Sequence, residues 1–343
     1  MSDILFETRG AAGLITLNRP RALNALTHAM VVAMKAQLDA WAADSEIACV
    51  VIRGAGERAF CAGGDIRAIA ESGRAGTPYA LDFWRDEYIL NAAIKHYPKP
   101  YMALMHGIAM GGGLGVSAHG NFRVVDDTAL AAMPETGIGF FPDVGGSYFL
   151  SRSPGEIGMY LALTGARLKT ADALYAGIAT HLVRAEIWPL LIDGLAQGEN
   201  PAELLSEIET WPAPEAPLAE QRVAIDNLFG LPSVEEILEG LDEEGDEWAA
   251  STAAAIRTKS PTSLKIAFRE VREGKTLIFD DCMRMEFRIA SRILAGCDFF
   301  EGVRAAIVDK DGAPKWRPAS LGAVTDDAVA SYFAPLGEKE LPL

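Results

Sequence analysis

Residues 101–118, YMALMHGIAMGGGLGVSA, run for eighteen positions without a formal charge when His106 is counted as neutral. A stretch of that length has two outcomes: a helix across a bilayer, or a segment buried in a folded core. Three consecutive glycines, no basic flank and no aromatic belt argue against the span. We therefore read it as an apolar strand that turns at the glycines into a buried helix. The strand candidates that follow, at 122–126 and 129–132, place this segment in a chain where strands alternate with helices.

The N-terminal part supports the same class. ILFET and AGLITLNR are short β-prone runs broken by RGAA, which predicts a hairpin. Thr27 is placed to cap an amphipathic helix carrying Met30, Val31, Met34, Leu38 and Trp41. ACVVIRGAG then reads as a strand buried on both faces. From about residue 155 strand signals stop and helical periodicity takes over, clearest in SPGEIGMYLALTG, TADALYAGI and the later TSLKIAFREVREG. The expected organisation is a core over 1–195 and a mainly helical region over 196–343. With 343 residues, half of them hydrophobic, the chain can bury a large core.

Charge is unevenly spread. The formal net charge is −16, but between Glu199 and Glu247 fifteen acidic residues stand against the single Arg222, leaving about −2 for everything else. This acidic segment, interrupted by Pro201, Pro212, Pro214, Pro217 and Pro232, reads as short helices joined by loops with a solvated face. The overall balance argues against nucleic acid or an anionic membrane surface as a partner, while the near-neutral remainder admits a small anionic ligand. Cys49, Cys61, Cys282 and Cys297 are scattered, with no metal-site or disulfide spacing, and read as reduced core thiols. The first ten residues show no secretory or transit signal, which points to a cytoplasmic protein.

The chain contains no GxSxG, HExxH, P-loop or strand-linked GxGxxG, which removes serine hydrolases, zincins, kinases and Rossmann enzymes. What remains is two glycine-rich turns, GAGERAFCAGGDIRAI at 54–69 and HGIAMGGGLG at 106–115, each directly after an apolar strand. If a helix opens at Gly111 or Gly112, its first amides have no intrahelical acceptor and face outward at the positive end of the dipole. Two such amides from separate turns can hold one developing oxyanion; the plainer reading is that these glycines only allow close packing. MPETGIGFFPDVGG, residues 133–146, adds two acids, Glu135 and Asp143, among Gly, Pro and apolar residues. Asp143 has a plain reading as a helix N-cap and Glu135 as a loop carboxylate. Beside Ile138, Phe140 and Phe141, burial would instead raise a carboxyl pKa towards the range useful for acid and base work.

NRPRALNALT, AFCAGGDI, HGIAMGGGLG and MPETGIGFFPDVGGSYFLSR, in this order, resemble the crotonase (enoyl-CoA hydratase/isomerase) superfamily over residues 1 to about 185. GIGFFPDVGGSYFLSR and the late DFFEGVRAAIVDKDGAPKW are more narrowly similar to its 3-hydroxyisobutyryl-CoA hydrolase branch. The resemblance implies an α/β fold, a spiral of ββα turns with a helical C-terminal region. It also implies an acyl-CoA substrate, no separate cofactor and no metal. The thioester oxygen would be held by the amides of Gly64 and Gly112, with Ala62 and Asp65 of the same turn contacting substrate. Glu135 falls on the acid shared by hydratases and hydrolases, Asp143 on the second acid of the hydrolase branch, and Glu87 in RDEYIL on that branch's further substrate-contacting glutamate. Arg21 and Lys310 are candidates for the coenzyme A phosphates.

One departure discriminates. Hydratases place a catalytic glutamate two residues after the glycine triplet, where this chain has Gly115. Syn hydration needs two opposed carboxylates to position and split water, so the departure favours thioester hydrolysis, in valine breakdown, over the alternative enoyl-CoA hydratase or isomerase. A silent acyl-CoA binder is the non-enzymatic alternative. The resemblance also implies a homo-oligomer, a trimer or hexamer, unless the helical region folds back over its own active site.

Overall fold

The computed structural model of the chain describes residues 2–208 and 215–343. The six predicted strands form, with two short unpredicted ones, β4 and β6, among them: β1 Ile4–Arg9, β2 Ala12–Leu17, β3 Cys49–Gly54, β4 Ala59–Cys61, β5 Tyr101–Met105, β6 Ile108–Met110, β7 Phe122–Val125 and β8 Leu130–Ala132. Two more, β9 Leu168–Lys169 and β10 His181–Leu182, fall where strand signals had stopped; at two residues each they are too short to show a period of two. β1 and β2 make the predicted antiparallel hairpin. The remaining pairings of the first sheet are parallel, giving the order β1-β2-β3-β5-β7-β10; the second sheet, in the order β4-β6-β8-β9, pairs β4 with β6 in parallel and β8 with β9 antiparallel. Val50, Val51, Ile52 and all of β5 are buried, as parallel strands covered on both faces require.

Two compact units interleave along the chain. One comprises residues 1–65, 89–131 and 167–219, the other 66–88, 132–166 and 220–343; the sequence reading places a single boundary near 195. The first unit holds both sheets' pairings. In it Thr27 Oγ1 accepts from the Met30 amide at 3.3 Å and caps the helix His28–Ala43, whose buried residues are Met30, Val31, Met34, Leu38 and Trp41. The second unit is mainly helical, and the acidic segment, which passes from the first unit to the second after residue 219, does form short helices such as Pro201–Glu207 and Val234–Glu244. Pro212 and Pro214 lie outside the described residues.

The uncharged run at 101–118 resolves into β5, a turn at His106–Gly107, β6 and the short helix Gly112–Gly115. Two strands thus replace the single one expected. Gly107 makes the break, at φ +54° with a hypothetical Cβ only 2.4 Å from the Arg58 carbonyl oxygen, a place no larger residue can occupy. No helix among the described residues is long and apolar enough to cross a membrane. Of the four cysteines, Cys49, Cys61 and Cys282 are buried as expected, but Cys297 is exposed. It lies at the start of the helix Asp298–Val303, outside that helix's apolar face.

Candidate active site

In the first unit the two glycine turns come together. β4 pairs in parallel with β6, so the residues leaving Cys61 run beside those leaving Met110. A Cβ on Gly63 would stand 3.2 Å from the Met110 carbonyl oxygen and 3.5 Å from the Gly112 nitrogen. Gly111 is the N-cap of the helix Gly112–Gly115, as the triplet suggested. The Gly64 turn is pinned on both sides: Leu26 N–H donates to the Gly63 carbonyl at 2.8 Å and Asp65 N–H to the Leu26 carbonyl at 2.9 Å. Neither the Gly64 nor the Gly112 amide donates to another backbone group among the described residues. The Asp65 side chain is engaged by Arg19 at 3.2 Å, and Arg19 also donates to the Ala25 carbonyl at 2.7 Å. Arg19 was not singled out from the sequence; it braces the turn. Ala62 N–H donates to the Leu23 carbonyl at 3.0 Å. Arg21 is exposed on the 3-10 turn Pro20–Ala22.

In the second unit the acids gather. Glu135 opens the 3-10 turn Glu135–Ile138 and is buried. Asp143 and Glu87 are buried as well, Glu87 to 2% exposure. Trp84 stacks on Phe140 with centroids 5.1 Å apart, and Phe140 packs on Phe141 and Phe299, so the wall around them is aromatic. The helix Asp298–Val303 closes on this turn backbone to backbone: a Cβ on Gly302 would lie 2.3 Å from the Ile138 carbonyl, and one on Gly139 2.3 Å from that of Asp298. Asp298 accepts from Ser260 Oγ at 2.6 Å, and Ser260 N–H donates to the Thr136 carbonyl at 3.1 Å. That is why DFFEG, distant in sequence, belongs with MPETGIGFFPDVGG.

Burial dominates the electrostatics. It pushes Glu135 well above the ordinary carboxylate range, and the Asp143 charge adds to the rise. Glu87 is raised by burial, then by Asp143 and Glu135. Asp143 is pushed up to about 7 by burial, against the lowering effect of Tyr88, whose hydroxyl donates to Asp143 Oδ2 at 2.8 Å. Glu135 Oε2 and Glu87 Oε1 are buried without a hydrogen-bond partner. Each is a buried acceptor left for a ligand or a water.

Two more buried acids went unpredicted. Glu286, wholly buried on the helix Phe279–Ile293, is pushed up to about 8 by burial, opposed by hydrogen bonds from Ser147 and Gly145. Glu270, wholly buried on the helix Pro261–Gly274, has both oxygens unpartnered and is raised by burial and then by Glu286, Asp143 and Glu135. A signal existed: each interrupts the apolar stripe of its helix, Glu286 between Cys282 and Ile289 or Ala290, Glu270 between Ile266 or Ala267 and Gly274.

The N-cap reading of Asp143 is corrected. The helix Gly146–Leu150 is capped by Gly145 without a side-chain bond, and the Asp143 side chain turns to Tyr88 instead. Between them Val144 sits at φ +54°, a left-handed conformation costing a β-branched residue about 1–2 kcal/mol. Lys310, also left-handed at φ +57°, is exposed between Asp309 and Asp311, both engaged by Arg304 at 2.7 and 2.6 Å. Nothing in this setting marks Lys310 as a phosphate contact.

Residues 12–333 match the enoyl-CoA hydratase/isomerase family. A 3-hydroxyisobutyryl-CoA hydrolase of Danio rerio is 49% identical over 351 residues, covering all of this chain and 92% of the relative. The chain belongs to the enoyl-CoA hydratase/isomerase family, in its 3-hydroxyisobutyryl-CoA hydrolase branch. Two solved structures share the fold: a carnitinyl-CoA dehydratase from Mycobacterium thermoresistibile, with TM-score 0.95, 44% identity and coverage of 100% of this chain and 99% of that one, and an enoyl-CoA hydratase from Rhodobacter sphaeroides 2.4.1, with TM-score 0.94, 42% identity and full coverage of both. Vertebrate relatives at 44–49% identity are named mitochondrial. This overturns the cytoplasmic expectation for the branch: compartment is an address read by receptors, and neither the folded body nor an unremarkable first ten residues reports it.

Proposed function

We propose that the chain hydrolyses 3-hydroxyisobutyryl-CoA to 3-hydroxyisobutyrate and coenzyme A, a step of valine breakdown, with coenzyme A entering as part of the substrate and no separate cofactor. The observation that carries this reading is Glu135, buried with one bare oxygen beside Asp143, in a chain whose position 115 is glycine where a hydratase carries its second glutamate.

The amides of Gly64 and Gly112 polarise the thioester carbonyl; one such donor in a dry site stabilises the transition state by about 3 kcal/mol. Glu135 acts in one of two ways. As a base it takes a proton from water as the water oxygen bonds to the carbonyl carbon; the C–S bond then breaks and the proton passes to the departing thiolate. As a nucleophile it bonds to that carbon itself, expels the thiolate and leaves a mixed anhydride that water opens. Asp143 and Glu87 orient the substrate hydroxyl or the water. Burial raises Glu135 and makes it a stronger base once ionised, so activity should rise with pH as the buried acids lose their protons.

Thiol release from 3-hydroxyisobutyryl-CoA tests the reading, with a Glu135→Gln enzyme expected to lose about 10²–10⁴-fold in kcat. Consumption of an enoyl thioester without thiol release, or undiminished turnover by Glu135→Gln, overturns it. Single turnover in oxygen-18 water separates the two routes: label in Glu135 marks the anhydride.

A further inference from the structure

Glu286 lies 143 positions beyond the acid it faces, yet its carboxylate meets the turn that follows Asp143 on both oxygens. Oε2 accepts the Gly145 amide at 2.7 Å, and Oε1 accepts the Ser147 amide at 3.0 Å and the Ser147 hydroxyl at 2.5 Å. These donors belong to the first turn of the helix Gly146–Leu150, whose cap residue Gly145 has no side chain to serve them. A carboxyl group accepting from two backbone amides and a hydroxyl ties the turn at three points.

The turn it holds does not hold itself. Val144 and Gly145 are both left-handed, at φ +54° and +86°; glycine adopts this freely, but valine keeps it only where its surroundings impose it. The Asp143 carbonyl accepts from Gly146 N–H at 2.8 Å, so the backbone on either side of Val144 is tied, and the orientation of Asp143 follows from where Gly145 and Ser147 are fixed. On its other side Asp143 receives the Tyr88 hydroxyl. Relaxation of Val144 towards right-handed or extended backbone would rotate the Asp143 carboxylate away from that bond.

We infer that Glu286 is a positioning residue: it clamps the Val144–Ser147 turn and so fixes the direction in which Asp143 presents its carboxylate to the substrate. The inference rests on the role given to Asp143 under the proposed function. Other ionisable groups share the surroundings: Glu270 and Asp143 raise, or are raised by, the same charge, and Cys282 and Tyr88 respond to it.

A double-mutant cycle reads this directly. Steady-state thiol release is measured for the full chain, Asp143→Asn, Glu286→Gln and the double variant, with thermal midpoints alongside. A glutamine side chain must turn an NH₂ towards one of the donors the carboxylate served, so Glu286→Gln is expected to lower kcat/KM about 10–100-fold, chiefly in kcat. In the Asp143→Asn background the same change is expected to cost less than about threefold, because the group it acts through is already gone. An equal factor in both backgrounds, or no loss in Glu286→Gln alone, overturns the clamp and leaves the role of Asp143 intact. Wild-type turnover by Asp143→Asn overturns the role of Asp143 and the clamp with it. Should Glu286→Gln not fold, Ser147→Ala removes only the hydroxyl bond. It is expected to cost about 3–10-fold with Asp143 present and nothing without it; equal losses in both backgrounds overturn the clamp.

Discussion

The glycine turns of the first unit and the acid cluster of the second hold their polar groups by opposite means. At Gly64 and Gly112 the groups are uncharged amides, fixed by backbone pairing and close packing. At Glu135, Asp143, Glu87, Glu286 and Glu270 they are carboxyls forced into burial, with Asp143, Glu135 and Glu286 raising others of the group. Amide donors do not titrate and cost little to bury once the turn exists. Acids gain basicity from burial, but they carry desolvation that makes the folded state pH-sensitive. A change at the turns should therefore couple activity to stability, whereas a change among the acids should separate them.

The largest expected effect is at Gly113, where an added Cβ would stand 2.2 Å from the Cys61 carbonyl oxygen. Gly113→Ala must push the two turns apart, so stability should fall by about 1–3 kcal/mol and kcat/KM for thiol release by about 10²-fold. Loss of one without the other, by thermal melt and thiol assay, breaks the comparison. Tyr88→Phe is next. Its hydroxyl favours ionised Asp143; without it the carboxyl climbs above about 7, and the acidic limb of kcat/KM moves to higher pH. The expected loss is about tenfold at pH 6, shrinking towards parity at pH 9. A pH-independent loss would remove Asp143 from the ionisations that matter.

The smallest effect is on stability alone. The folded chain holds the Glu270 proton to a higher pH than the unfolded chain does. The stability this gives is complete below the ordinary carboxylate value and is lost as pH rises through the elevated one. Glu270→Gln removes that loss. Its thermal midpoint should match the parent's near pH 5 and exceed it near pH 8 by a few degrees, equivalent to about 1 kcal/mol. An advantage at pH 5 that vanishes at pH 8 would reverse the sign and sink the argument.

How much of this was legible in the sequence follows the same division. The turns were readable because backbone chemistry announces itself locally: glycine after an apolar strand has few other uses, and the helix opening at Gly112 follows from the triplet. The Thr27 cap and the five buried residues behind it were readable for the same local reason. Glu135 and Asp143 stood out through their apolar neighbours, but their partners did not. The Ser147–Glu286 bond spans 139 positions, and no periodicity reports a pairing at that distance. The N-cap reading of Asp143 failed because a remote carboxylate supplies what a local one was assumed to supply. Arg21 and Lys310, by contrast, are exposed, and an exposed cation carries no local signature of its ligand.

The close approach of Gly302 to the Ile138 carbonyl bears on the order in which the chain becomes active during synthesis. The first unit has all its residues once position 219 has emerged. The acid turn at 135–143 lacks its backbone contact with Gly302 until that residue appears, 83 residues later by that count. At about 5–20 residues per second the delay is on the order of ten seconds. Throughout it the apolar stretch 132–166 is only partly covered, which makes it a place where a chaperone has something to protect.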